Sequence, residues 1–262
     1  LLAIGEPQVY SGEAQSRTHI IVPPAQQALA EAVAATGTPV VVLLKNGRAL
    51  ALTGAVREAN AILVTWFLGS QTGPAIADVV FGDYNPAGRL PVSFPQDSGQ
   101  QPYYYNHLRT GRPELPDQPP AFKSRYRETT FDALYPFGHG LSYTTFGYSA
   151  PVVKAHVGWD DTIIVSATVT NTGEVAGEEV VQLYIHDRVA SRVRPVRELK
   201  AFRKILLAPG ASEEVSFELV RRDLAFTHRD GVTFEAEPGD FQVWIAGSSA
   251  QGESATFVLG KP

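Results

Sequence analysis

Pro39-Val40-Val41-Val42-Leu43-Leu44 is an uninterrupted apolar run, and Ala61-Ile62-Leu63-Val64-Thr65-Trp66-Phe67 is a second. Neither alternates, so each reads as a strand covered on both faces, which is the habit of strands in a parallel sheet. Between and before them the texture is helical. Pro23-Pro24 opens a segment through Ala35 with Ala28, Leu29, Ala32 and Val33 at helical spacing, and Gly37 stops it. Asn46-Gly47 is a turn signal, Ala51 to Asn60 is ambiguous, and Gly73 to Phe81 places Ile76, Ala77, Val80 and Phe81 on one face of a short helix. Leu1 to Gly5 reads as the tail of a buried strand. Together these predict an α/β layer around a parallel sheet over residues 1–94.

Working outward, the stretch from Asp83 to about Tyr148 is dense in proline, glycine and tyrosine and weak in periodicity, with Leu90 to Phe94 its best strand candidate. Its aromatic content (Tyr103, Tyr104, Tyr105, Phe122, Tyr126, Phe131, Tyr135, Phe137, Tyr143, Phe146) predicts an ordered, wrapping connection over 95–149. From Ala150 the pattern changes to short strands separated by turn signals. Thr162 to Thr170, Glu179 to His186, Lys200 to Leu207, Glu214 to Leu219, Val232 to Glu235, Gly239 to Ala246 and Ala255 to Leu259 predict an antiparallel β-sandwich over 150–262.

Composition removes several function classes. The chain has 262 residues, 44% hydrophobic and 19% charged, which is a globular balance. Its net charge is -5 and it has no basic tract, so nucleic acid is not expected as a partner. No apolar run approaches the ~20 residues that span a bilayer, so no membrane insertion is expected. With no cysteine, disulfides, thiolate zinc sites and cysteine nucleophiles are excluded. His19, His107, His139, His156, His186 and His228 lack metal-ligand spacing, and neither Gly138-His139-Gly140 nor Gly82/Gly88 forms a phosphate-binding loop. No metal or cofactor is expected. The absence of methionine means that Leu1 is not an intact start, and the chain is expected to begin inside a larger protein.

The densest polar stretch of the first half is Gly5-Glu6-Pro7-Gln8-Val9-Tyr10-Ser11-Gly12-Glu13-Ala14-Gln15-Ser16-Arg17. It follows a strand and precedes a helix, which places it at the carboxyl edge of a parallel sheet, where open α/β folds hold their ligands. Glu6 and Glu13 can face one cleft; equally, both can cap loop amides or pair with Arg17. Trp66-Phe67 is either a sugar-stacking platform or, better suited to the end of a buried strand, core. Asp78 and Asp83 flank a helix end and suit capping or salt bridging. Tyr103 to His107 and Arg109 to Arg112 either edge a cleft or pack on neighbouring structure.

Gly5-Glu6, Ser11-Gly12-Glu13, Ser16-Arg17, Pro23-Pro24-Ala25-Gln26-Gln27, Asn46-Gly47-Arg48, Trp66-Phe67 and Phe81 through Pro91 (FGDYNPAGRLP), taken in order, resemble the second domain of family 3 glycoside hydrolases, of the bacterial periplasmic β-glucosidase type. Tyr135 through Phe146, Val169-Thr170-Asn171-Thr172-Gly173, Val180 through Tyr184, Arg194 through Phe202 and Pro209-Gly210 continue the resemblance through a fibronectin type III-like tail. The likeness is collinear over essentially the whole chain. Ala49 stands where the family often has Pro. The resemblance implies a retaining β-glucosidase in three parts: a barrel carrying a nucleophilic aspartate, an α/β sandwich carrying the general acid/base, and the fibronectin-like domain. This chain holds the later part of the sandwich and the tail, so its implied partners are the N-terminal barrel segment and a β-glucoside, in a periplasmic or secreted setting, with a homodimer left open. Glu13 matches the acid/base of the Ser-Gly-Glu motif, while Glu6, nearer the strand end, suits fixing the loop. The residues that bind the sugar are not identified. β-Xylosidase or a related exo-glycosidase is the alternative in the same chemistry; a non-catalytic carbohydrate-binding or scaffolding fragment is the alternative outside it.

Overall fold

The computed structural model describes residues 1–109, 111–112 and 123–261, so Thr110, Pro113 to Phe122 and Pro262 lie outside the described residues, the predicted aromatic Phe122 among them. The chain divides into two compact units: residues 1–84, 93–103 and 126–135 form one, and the described residues of 85–92, 104–125 and 136–261 form the other.

In the first unit β1 (Leu2–Gly5), α1 (Pro24–Ala34), β2 (Val41–Lys45), α2 (Gly54–Arg57), β3 (Ala61–Val64) and α3 (Thr72–Phe81) follow in sequence. The strands form one parallel sheet in the order β1-β2-β3, with Leu2 opposite Val42 and Leu43 opposite Leu63. Both predicted apolar runs therefore lie in one sheet. Val42 and Leu44 are fully buried, as expected for the central strand of such a sheet. Pro24 occupies the first turn of α1, where its missing N–H costs nothing. The ambiguous stretch resolves into two pieces. Ala51 bridges to Ile21 as buried extended chain, and α2 then begins with the Ala55 N–H held by Glu31 Oε1 at 2.8 Å.

Helix α3 ends on Gly82 in the left-handed conformation, φ 86°, whose N–H bonds the Val79 carbonyl at 3.2 Å. A side chain is strained there. Gly82→Ala is expected to lower stability by about 1–2 kcal/mol, the cost of an L-residue in that region, read as a lower midpoint in denaturant unfolding at unchanged slope.

The expected strand over Leu90 to Phe94 does not form. Leu90 bonds His139 and Gly138 in the second unit, while Phe94 makes an isolated bridge to Tyr135 in the first. Pro91 and Pro95 flank the division and cannot donate to a ladder, so the run is broken into two local pairings.

The second unit is the sandwich: β4 (Phe146–Tyr148), β5 (Val152–Val153), β6 (His156–Val157), β7 (Ile163–Asn171), β8 (Gly177–Asp187), β9 (Glu198–Leu207), β10 (Ser212–Leu219), the single turn α4 (Arg221–Leu224), β11 (Phe226–Thr227), β12 (Phe234–Glu235), β13 (Gly239–Ala246) and β14 (Ser254–Leu259). One sheet runs β10-β7-β4, with β5 also on β7; the other runs β6-β14-β13-β8-β9. Along β7 the residues Ile163, Val165, Ala167 and Val169 point inward in strict alternation, and they meet Val181, Leu183, Val215, Val243 and the stacked pair Phe241–Phe257. β8 departs from the expected alternation, because Gln182 and Tyr184 on its other face are buried too. The connection supplies their cover: Tyr105 stacks on Phe137 with centroids 4.2 Å apart and meets Tyr184 edge-on at 6.1 Å.

The segment from Asn85 to Val92 is fastened into this unit by polar groups. Asn85 donates to the Ala176 carbonyl at 2.9 Å and accepts from the Ser142 hydroxyl and the Tyr143 N–H at 2.8 Å each. Arg89 forms an ion pair with the buried Glu179, which also accepts from the Tyr148 hydroxyl at 2.7 Å. Burial pushes the Glu179 carboxyl above its ordinary value, against the pull of Arg89, and pushes the Tyr148 phenol upward.

Candidate active site

The loop at the carboxyl end of β1 is made possible by Gly5. Its φ is 144°, and a Cβ there would lie 1.7 Å from the Lys45 carbonyl oxygen, so only glycine lets the chain leave the strand so close to β2. The Gly5 N–H is held by Gln26 Oε1 at 2.6 Å and the Glu6 N–H by the Lys45 carbonyl at 2.9 Å. Past a short helical turn, Gln8–Tyr10, the chain reverses over Gly12 to Gln15, closed by the Gln15 N–H on the Gly12 carbonyl at 3.3 Å. Glu13 sits exposed on this reversal, followed by Ala14 in the left-handed region at φ 59°. A non-glycine residue there is uncommon and costs conformational energy, so surrounding contacts must hold it.

Those contacts are two arginines on one buried carboxylate. The Glu6 side chain is inaccessible to solvent; its Oε1 accepts from Arg17 Nη1 at 2.8 Å and its Oε2 from Arg48 Nε at 3.1 Å. Arg17 also lies over the Tyr10 ring, 4.6 Å from its centroid. Arg48 reaches further, since its Nη2 donates to the Tyr10 carbonyl and, at 3.2 Å, to the Gln15 carbonyl. The turn bearing Arg48 is stiffened by Asn46 Nδ2 on the Arg48 carbonyl at 2.7 Å. Gly47 lies flat against Ser11 and Phe67: a Cβ there would come 2.4 Å from Ser11 Oγ and 3.0 Å from the Phe67 ring. The two carboxylates of the loop are thus chemically unlike. Glu6 is buried and paired on both oxygens, and Glu13 is open to whatever approaches the sheet edge.

Residues 1–143, more than half of the chain, match the glycosyl hydrolase family 3 C-terminal domain. The chain belongs to glycosyl hydrolase family 3. Residues 179–249 match a fibronectin type III-like domain, which covers most of the sandwich strands. A periplasmic β-glucosidase of Salmonella typhimurium is 47% identical over 257 residues, 98% of this chain and 34% of that protein. A β-xylosidase of Formosa agariphila is 39% identical over 99% of this chain and 35% of its own length. Among solved structures, the β-glucosidase of Listeria innocua superposes with a TM-score of 0.95 at 38% identity, over 100% of this chain and 36% of that one. The chain therefore spans about a third of the length of the relatives it matches.

Within this family 3 chain, the other residues singled out by sequence fall on both sides of their readings. Trp66, at φ 48°, packs tilted on Phe94 with centroids 6.1 Å apart, but Phe67 is 61% exposed rather than core. β3 ends at Val64, and the backbone turn at Trp66 swings the next side chain out beside Gly47. Tyr103 donates its hydroxyl to the Phe131 carbonyl at 2.8 Å, and burial raises its pKa above the usual phenol value. Tyr105 is a packing residue of the sandwich; Tyr104 is exposed. Asp78 caps through its backbone, accepting the Tyr84 N–H at 2.9 Å. Within the stretch from Arg109 to Arg112, Thr110 lies outside the described residues. Among the described residues no three His, Cys, Asp or Glu side chains are grouped to hold a metal, and no helix is long and apolar enough to cross a membrane.

Sequence reasoning missed Arg48. The available signal was its position two residues after Asn46 at the end of a strand neighbouring β1, which in a parallel sheet brings it to the same edge as the Glu6–Arg17 loop.

Proposed function

We propose that this chain is the acid/base-bearing part of a retaining β-glucosidase, working within a longer periplasmic or secreted protein that removes terminal β-linked glucose from glucosides and short gluco-oligosaccharides. The observation that carries the reading is the pairing of an exposed Glu13 with a clamped Glu6 on one loop at the carboxyl edge of a parallel sheet. A retaining glycosidase needs two carboxyl groups about 5–5.5 Å apart across the scissile bond, one attacking the anomeric carbon and one protonating the leaving oxygen. Glu13 takes the second role, giving its proton to the leaving group in glycosylation and removing one from water in deglycosylation. Glu6 is unsuited to it, since its side chain is closed to solvent and both of its oxygens are taken up by Arg17 and Arg48.

The nucleophile is assigned to the part of the protein outside these 262 residues. The matches to relatives described as β-glucosidases, one of them periplasmic, support the substrate class and the compartment. The β-xylosidase relative supports the second reading, an exo-glycosidase of different sugar preference. The purified 262-residue chain is expected to show no turnover of an aryl β-glucoside, and the longer protein that includes the preceding segment to turn it over. Comparing aryl β-glucoside with aryl β-xyloside on the longer protein separates the two sugars. Robust activity from the short chain alone would show that the nucleophile lies within it.

A further inference from the structure

We infer that Arg48 is the positioning residue for the acid/base turn, an inference that rests on the reading of Glu13 above. One guanidinium touches three points that bracket Glu13: the Tyr10 carbonyl before the reversal, the Gln15 carbonyl after it, and the Glu6 carboxylate beneath it. Its own anchor is the stiff end of β2, through the Asn46–Arg48 turn. Arg17 shares Glu6 but lies on the loop itself, so it tightens the loop without referring it to the sheet. Arg48 makes that reference. The reversal itself is closed by one long hydrogen bond and includes an alanine in the left-handed region, so a brace across it matters.

Because Arg48 contacts backbone and Glu6, its effect on the reaction runs through the placement of Glu13. A misplaced acid harms the reaction in proportion to how much the leaving group needs a proton. Lysine keeps the charge but has a single point donor in place of the planar fork, and cannot satisfy three acceptors spread around the turn.

The test is a set of variants of the full-length protein. Arg48→Lys is expected to lower kcat on cellobiose by about 10- to 100-fold, the usual consequence of a catalytic group displaced by about an ångström, with KM little changed. On a 2,4-dinitrophenyl glucoside, whose leaving group needs no protonation, the loss in kcat/KM should stay below about threefold, against the loss of about 10- to 100-fold in kcat/KM on cellobiose. In a Glu13→Ala background, adding Arg48→Lys should cost less than about threefold more on cellobiose, since coupled residues are non-additive. Equal losses on both substrates, or full additivity with Glu13→Ala, would overturn the role of Arg48 while leaving that of Glu13 standing. A Glu13→Ala enzyme with no leaving-group dependence would instead remove the reading on which this one rests. Should Arg48→Lys unfold, Arg48→Gln takes its place; loss of cooperative melting in both makes Arg48 a folding determinant and overturns the proposal.

Discussion

Glu13→Ala in the full-length protein is expected to slow hydrolysis of cellobiose and alkyl glucosides by about 10²- to 10⁴-fold, the worth of a positioned acid. The side chain is exposed on a turn and contributes little burial, so the loss should come without a fall in melting temperature. Substrates with acidic phenol leaving groups depart without a proton, and their kcat/KM should fall far less. For these substrates the slow step becomes hydrolysis of the glycosyl-enzyme, which lacks its general base. Added azide, a small anion that attacks without one, should restore turnover and leave a glucosyl azide product. Wild-type rates on cellobiose after Glu13→Ala would move the acid elsewhere.

Arg89→Ala should have the largest effect on stability. Both partners of the Arg89–Glu179 pair are buried, with side chains 9% and 4% exposed, so removing the cation leaves a buried carboxylate that keeps the Tyr148 hydroxyl but has lost its counter-charge. Breaking such a pair costs about 3–5 kcal/mol. The deficit should depend on pH, with a sign set by Glu179. Its carboxyl already lies above its ordinary value through burial and would rise further without Arg89. The folded variant then holds a proton that the unfolded chain has released, so its stability falls as pH rises from the unfolded value of about 4.3 through the raised folded one. Denaturant midpoints for Arg89→Ala should therefore approach wild type toward pH 4 and diverge at pH 7. Glu179→Gln, which leaves no buried anion, should cost less than Arg89→Ala at neutral pH. A deficit independent of pH would mean that the loss is one of packing.

The same two networks mark how far the sequence could be read. Unbroken apolar runs at Val40 to Leu44 and Ala61 to Val64 announce a parallel sheet, because a strand covered on both faces has no reason to alternate. β7 announces a sandwich by alternating, since only one of its faces meets the core. β8 misleads by the same rule: Gln182 and Tyr184 look solvent-facing until Gly138 and the ring of Tyr105, far away in the chain, are laid over them. Leu90 to Phe94 misleads because its two ends find partners in different units.

For the site, the loop and its two carboxylates were legible, since a polar cluster between a strand and a helix in an α/β pattern lies at the carboxyl edge by topology. The Ser-Gly-Glu motif singled out Glu13 from the sequence. What separates the two chemically is Arg48, 42 residues from Glu6. Charge pairing across that span depends on which strands are neighbours and in what register, and local pattern carries neither. Sequence by itself determined the periods of the elements and the polar loop between them, because those rest on contacts a few residues apart. Tertiary structure alone decided which carboxylate is buried against two guanidinium groups and which is left open, because desolvation and ion pairing depend on neighbours brought together only by the sheet.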